Sequence, residues 1–167
     1  MSIVAVDIGA IEKLEPEIFV KLYQMLPGDT GFCQGVWNTG ACSCCKPQSE
    51  KDVLYLLPGE LEFLKVHKNM DINPHPTDLM ARCGYAEKYN CPCKPFVCRV
   101  YPFLPIKCSR NRVEAIDIDR RCAAVGKLGR DVVMTKAATH VNQVIDAVNF
   151  LLSVDYRIGL LFKLMFA

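Results

Sequence analysis

Apolar side chains recur at helical spacing close to the start of the chain. They repeat every three or four residues between positions 16 and 26, the spacing of one buried helix face: Ile18, Phe19, Leu22, Tyr23 and Leu26. Pro16 suits the first turn of a helix, where its missing N–H is not needed. The pattern predicts a short amphipathic helix that ends at the turn-forming residues 27–31.

The same spacing returns from residue 132 to residue 167 and predicts a C-terminal segment of one long helix or two helices. Its apolar positions lie on both sides of Asp155: Val141, Val144, Ile145, Val148, Leu151, Leu152, Ile158, Leu161, Phe162 and Met165. Charged residues interrupt the run, so it is too short to span a membrane. We expect the first part to pack on the domain. The expected docking residues for a protein partner or a second copy are Leu160, Leu164 and Phe166.

Between these helical segments the pattern is that of short strands and loops. Residues 53–57 and 112–119 have the composition of strands, and Pro58-Gly59-Glu60 is expected to open a helix. Residues 69–78 contain two prolines and predict a loop without regular structure. The sequence therefore predicts a small single α+β domain with cysteine-rich metal-binding loops, short strands and a long C-terminal helical segment. Its metal-binding core spans residues 32–129.

Composition excludes several classes of function. The chain has 167 residues and a net charge of +2, which is too small to favour a nucleic-acid partner. It contains no phosphate-binding glycine loop and no cysteine triplet of the kind used with S-adenosylmethionine. The first residues lack the pattern of a secretory signal, which predicts a cytoplasmic protein.

Cysteine is the most informative residue type. Eight of the ten cysteines form two groups of four, and four thiolates saturate a tetrahedral zinc ion or hold an iron–sulfur cubane. The first group is Cys33, Cys42, Cys44 and Cys45; the second is Cys83, Cys91, Cys93 and Cys98; Cys108 and Cys122 follow. A cytoplasmic chain disfavours a disulfide framework. The groups therefore predict a metal site.

The spacing within the groups favours iron–sulfur chemistry over zinc. A C-x2-C pair occurs once, at Cys42 and Cys45, whereas a zinc knuckle site uses two such pairs. The neighbours Cys44 and Cys45 point to opposite faces of extended backbone, so they serve different iron atoms or different centres, unless one is a buried hydrophobe. Because neither group is regular, we expect both to contribute to sites that lie close together.

Residues 94–103, Lys-Pro-Phe-Val-Cys-Arg-Val-Tyr-Pro-Phe, resemble the Arg-Pro-x-x-Cys-Arg-x-Tyr-Pro-Phe stretch of the CxxCxxCC-type family of zinc- or iron-chelating proteins, also called YkgJ-like. The tight cysteine cluster and the later Leu57-Pro58-Gly59-Glu60 are similar to that family as well. The resemblance implies metal ligation by Cys33, Cys42, Cys44, Cys45 and Cys98, by Cys91 or Cys93, and by Cys122.

Two basic residues adjoin these cysteines. Arg99 and Lys94 are expected to stabilise the negative charge of thiolate-bound metal and to tune its potential. The alternative is that both are ordinary solvated charges. His75 lies between prolines and is an additional candidate ligand of lower priority.

These observations predict a protein that binds one or two [4Fe-4S] clusters and acts in electron transfer, or as the cluster-bearing subunit of a redox or modification system. Two alternatives stay open. The first is a structural zinc module whose C-terminal helix docks a partner. The second is a protein-modifying enzyme of methyl-transfer type, and the sequence leaves enzymatic activity undecided.

Overall fold

The predicted N-terminal helix is present. The computed structural model describes residues 11–27, 54–68, 72–74, 80–83, 94–109 and 112–165. Helix α1 spans Pro16–Met25, with Pro16 in its first turn and Phe19, Leu22 and Tyr23 on its buried face. Leu26 follows it and is fully buried.

A two-residue strand leads through a tight turn into the second helix, as the sequence predicts. Strand β1 is Leu54–Tyr55, and α2 is Glu60–Lys68. Leu56 and Leu57 between them are fully buried. Gly59 in the turn has a φ of +87°, and a Cβ there would lie 2.9 Å from the Leu14 carbonyl oxygen. Only glycine therefore fits both the backbone conformation and the space.

Replacing Gly59 by alanine should lower the free energy of unfolding by roughly 1–3 kcal/mol, because it imposes a left-handed conformation on a residue with a Cβ. Gly126 is the matched control, since a Cβ there would meet nothing within 4 Å. Gly126→Ala should raise stability by up to about 1 kcal/mol, as expected inside an exposed helix. Urea unfolding measures both. Equal effects at the two positions would contradict the proposed steric reason.

The first sheet corrects one prediction. Strand β2 is Ile72–Pro74 and β3 is Met80–Cys83, and the sheet order is β1-β3-β2 with antiparallel pairing. Residues 69–78 were predicted to lack regular structure, which is wrong for 72–74. The physical reason is position: β2 is an edge strand, with Pro74 at its end opposite Ala81. An edge strand tolerates proline, since one side needs no ladder hydrogen bond.

A second antiparallel pair follows a short helix. Helix α3 spans Phe96–Val100, β4 spans Phe103–Cys108 and β5 spans Val113–Ile118. Phe103 pairs with Ile118 and Cys108 with Val113. Strand β5 lies within the strand predicted at residues 112–119. The described residues thus form an α+β fold, as predicted.

The C-terminal part is helical, as predicted, but it forms three helices where one or two were predicted: α5 (Arg130–Lys136), α6 (Ala138–Val154) and α7 (Ile158–Met165). An additional short helix that was not predicted, α4 (Ala123–Leu128), precedes them. The predicted apolar face of α6 is buried at Val144, Val148 and Leu152, and Val141 packs against the same core. No described helix is long and apolar enough to cross a membrane.

The proposed docking residues of the last helix are only partly described. Leu160 is half-buried, whereas the side chain of Leu164 and the whole of Phe166 lie outside the described residues. The prediction of a partner surface here stays a prediction. The other side of α7 joins the core through Ile158, Leu161 and Phe162. Helix α7 also packs against α3, because the centre of the Phe162 ring lies 5.8 Å from that of the Phe96 ring.

Candidate metal centre

The described residues carry part of the predicted ligand set. Side chains are described for Cys98, Cys108 and Cys122, and Cys83 is described as the last residue of β3. The other predicted ligands lie outside the described residues: Cys33, Cys42, Cys44, Cys45, Cys91 and Cys93. His75 lies outside them as well. Within the described ranges, no three His, Cys, Asp or Glu side chains are grouped to hold a metal ion.

Cys98 occupies the middle of α3. Its backbone N–H donates to the Pro95 carbonyl at 3.0 Å, and its side chain is half-buried. The neighbouring Phe96, Arg99 and Val100 are buried. The short helix therefore has a buried face, and the Cys98 side chain retains some access to solvent.

Beneath this helix lies a fully buried carboxylate, Glu60, at the start of α2. Its Oε1 accepts hydrogen bonds from the Tyr23 hydroxyl at 2.5 Å and from the Phe96 backbone N–H at 2.6 Å. Its Oε2 accepts from the Leu57 N–H at 2.9 Å. All three partners are donors, so the ionised carboxylate is the form that this network satisfies.

Arg99 is the cation of the same network. Its guanidinium carbon lies 4.0 Å from the centre of the Tyr23 ring, and its side chain is buried. Its Nε donates to the Lys94 carbonyl at 2.6 Å, and its Nη1 donates to the Leu26 carbonyl at 2.5 Å. The alternative that Arg99 is a solvated charge is therefore wrong. Lys94 is half-exposed, and its main-chain carbonyl holds Arg99.

Burial and charge shift the titration of this network. Burial raises the pKa of Glu60 above its ordinary value of 4.5, while the hydrogen bonds from Tyr23, Leu57 and Phe96 and the charge of Arg99 oppose that rise. The pKa of Tyr23 is raised well above 10.0, first by burial and then by Glu60. Cys98 adds a smaller increase to the pKa of Tyr23. The Cys98 thiol is therefore close enough to interact electrostatically with the Tyr23 hydroxyl.

The network joins the flanks of both cysteine-bearing segments. Leu26 precedes the first cysteine group by seven residues, and Leu57 follows that group. Lys94 follows Cys93 directly and precedes Cys98 within the second group. Arg99 binds the carbonyls of Leu26 and Lys94, and Glu60 binds the N–H of Leu57. One buried network of hydrogen bonds thus holds three chain positions near the two groups.

A histidine that the sequence analysis left without a role supports the helix from the other side. His140 of α6 is buried, and its Nε2 lies 3.0 Å from the Arg99 carbonyl oxygen. Because a carbonyl only accepts, Nε2 carries the hydrogen in this contact. The ring also meets Phe103 edge-on at 5.6 Å. His140 therefore ties α6 to the end of α3.

Acidification should weaken the fold through His140. Burial lowers the pKa of His140 from its ordinary value of 6.5, so the unfolded chain binds a proton at a pH where the folded one does not. Stability from this residue is fully present above 6.5 and falls as the pH drops below it. Urea unfolding of metal-free protein at about pH 7.5 and about pH 5.5 measures the loss.

The control for that experiment is His140→Gln, which keeps an N–H donor for the Arg99 carbonyl and does not titrate. The difference between the two proteins isolates His140 from the carboxylates. If both lost equal stability on acidification, the assignment to His140 would be wrong.

The two late cysteines occupy different surroundings. Cys122 precedes α4 and is only 4% exposed. Its turn lies against the end of α3, because the Asp119 N–H donates to the Pro102 carbonyl at 2.8 Å. Cys108 ends β4 and lies beside Gly159 of α7. Ligation by Cys122 stays a prediction.

Two arginines that follow β5 are paired with acids. Arg121 binds Asp119 at 2.7 Å, and Arg130 binds Asp117 at 3.2 Å. The Arg130 pair is exposed on both sides, so it contributes only about 0–1 kcal/mol.

Two residues of the network, Glu60 and Tyr23, were missed as functional candidates. Glu60 appears in the sequence analysis only in a helix-opening motif and in the family resemblance, and Tyr23 only as an apolar position. The available signal is an acid three residues after the apolar run that ends at Leu57. Comparison of the chain with protein-family models, with curated proteins and with solved structures found no match.

Proposed function

We propose that this chain is an iron–sulfur protein of the CxxCxxCC type that binds one or two [4Fe-4S] clusters and serves in electron transfer, or as the cluster-bearing subunit of a redox or modification system. The proposed ligands are drawn from Cys33, Cys42, Cys44, Cys45, Cys83, Cys91, Cys93, Cys98 and Cys122.

The observation that supports this function best is that chain positions flanking both cysteine groups are held by one buried hydrogen-bond network around Arg99 and Glu60. A cluster needs four thiolates at one point, and neither group has the regular spacing of a self-contained site. Hydrogen bonds from Arg99 to Leu26 and Lys94 hold a flank of each segment beside Cys98. Ligands from both groups can therefore reach a common centre.

The described residues fit such a centre chemically. Cys98 is half-buried, which leaves its sulfur accessible to a metal ion without placing it in bulk water. Phe96 and Val100 beside it are fully buried and restrict water on the inner side of the helix. When bound, the cluster would accept and release single electrons. The protein would hold it, shield it and set its potential.

The function is tested by purifying the protein without oxygen and measuring iron, sulfide, zinc and the visible spectrum. Stoichiometric iron and sulfide with a brown colour would support the proposal. A colourless protein with stoichiometric zinc would overturn it and favour the structural zinc module.

Substituting Cys98 should remove most of the bound iron if it is a ligand. Cys108→Ser is the matched control, because Cys108 is also half-buried and stands outside the proposed ligand set. We expect Cys98→Ser to lose the visible absorption and Cys108→Ser to retain it. Equal iron contents in the two variants would remove Cys98 from the ligand set.

A further inference from the structure

We propose that Glu60 is a positioning residue, which holds α3 so that Cys98 presents its sulfur to the metal. The inference rests on the proposed function, since it assigns Glu60 a role toward that same centre. Glu60 lies outside the cysteine motifs, and nothing in its type or spacing marks it as a ligand.

Stability alone gives a poor reason for this buried carboxylate. Removing a carboxylate and a guanidinium from water is unfavourable, and apolar residues of similar volume often stabilise a core as well or better. Glu60 is 0% exposed and Arg99 is 6% exposed. Buried charged groups held by several hydrogen bonds are better suited to fixing one arrangement of the chain among several that an apolar core would permit.

The hydrogen bonds of Glu60 fix the helix that carries Cys98. The Phe96 N–H, at the first position of α3, donates to Oε1, and the same oxygen accepts from Tyr23 of α1. Oε2 holds the Leu57 N–H in the turn before α2. The carboxylate thus connects α1, the turn and α3 at one point.

Arg99 fixes the other side of Cys98. Arg99 is its next neighbour, and the guanidinium is held by two carbonyls and the Tyr23 ring. The Arg99 carbonyl is held in turn by His140. Cys98 therefore lies between anchored positions, and loss of Glu60 would free the first of them. Groups behind a metal ligand orient it, and their removal weakens metal binding.

The experiment compares four proteins loaded with iron and sulfide under anaerobic conditions: the unmodified chain, Glu60→Gln, Tyr23→Phe and Glu62→Gln. Glu62 is the matched control, because it lies on the same helix and its side chain is 59% exposed in a pair with Lys13. Three readouts are taken: the rate of iron loss to a chelator, the visible circular dichroism of the bound iron, and the reduction potential. Far-UV circular dichroism checks folding.

Glu60→Gln should lose iron about tenfold faster than the unmodified chain and should change the visible circular dichroism. Tyr23→Phe removes one donor to Glu60 and keeps the ring, so we expect a smaller change in the same direction. Glu62→Gln should match the unmodified chain. A residue that only stabilised the fold would alter the urea midpoint and leave the visible spectrum and the potential unchanged.

The outcomes separate the two proposals. If the unmodified chain binds neither iron nor zinc, the proposed function fails and the role of Glu60 fails with it. If the chain binds metal and Glu60→Gln behaves like Glu62→Gln in all three readouts, the positioning role alone is overturned. If Glu60→Gln does not fold, Tyr23→Phe decides, and an unchanged visible spectrum in that variant overturns the inference. If the metal is zinc, the rate of zinc loss to a chelator gives the same comparison.

Discussion

Replacing Arg99 by alanine should lower the free energy of unfolding of the metal-free protein by about 3–5 kcal/mol, because it removes two buried hydrogen bonds from a charged group to the Leu26 and Lys94 carbonyls. The variant also removes the contact with the Tyr23 ring and the positive charge that favours the ionised form of the buried Glu60 carboxylate. Urea unfolding measures the loss. Arg130→Ala is the control, since its exposed pair with Asp117 contributes at most about 1 kcal/mol.

A double variant gives the sharper test of this electrostatic reason. Once Arg99 is absent, Glu60 lacks the positive charge that favours its ionised form, so replacing it by glutamine should cost less than it does in the unmodified chain. The combined loss should therefore be smaller than the sum of the two single losses, by on the order of 0.5–3 kcal/mol. Strict additivity would show that the two side chains stabilise the protein independently.

The second large effect is expected in the apolar core. Phe162 of α7 is fully buried, and its ring lies 5.8 Å from that of Phe96 with an interplanar angle of 31°. Phe162→Ala should lower the free energy of unfolding by about 3–5 kcal/mol, through lost apolar burial and the cavity left behind. Val132→Ala, at a side chain that is 44% exposed, should change it by less than about 0.5 kcal/mol.

That variant also tests whether α7 belongs to the folding unit. If Phe162→Ala unfolded at the same urea concentration as the unmodified chain, the C-terminal helix would be a separable appendage. Leu160, the described residue of the proposed docking surface, would then lie on a helix that is not part of the core.

The sequence predicts the elements whose pattern is local. Helices α1 and α6 follow from apolar residues repeated at helical spacing, and β5 from a short run of strand-forming residues. The short elements β2 and α3 could not be predicted from a local pattern. Strand β2 forms because it pairs with β3, whereas a rule based on residue type alone takes its proline as evidence against a strand.

For the candidate site, too, the sequence predicts the local features and misses the contacts between distant residues. Cysteine spacing and the stretch around Cys98 point to metal binding, because ligand residues are recognised by type. The supporting network could not be predicted, because its members are distant in the chain. Tyr23 and Glu60 are 37 residues apart, and Arg99 and Leu26 are 73 apart. No periodicity within a window of sequence reports such contacts.

The shortness of α3 has a consequence for the order of folding. A helix of five residues is far below the roughly 12–15 residues that an isolated helix needs to be even marginally stable in water. Its anchors come from α1, α2 and α6, which the chain must bring together first. Contacts between such distant residues form slowly, after the loops between them have closed. Cys98 therefore reaches its place only when the native topology is nearly complete, and uptake of the proposed metal through it should follow folding of the domain rather than start it.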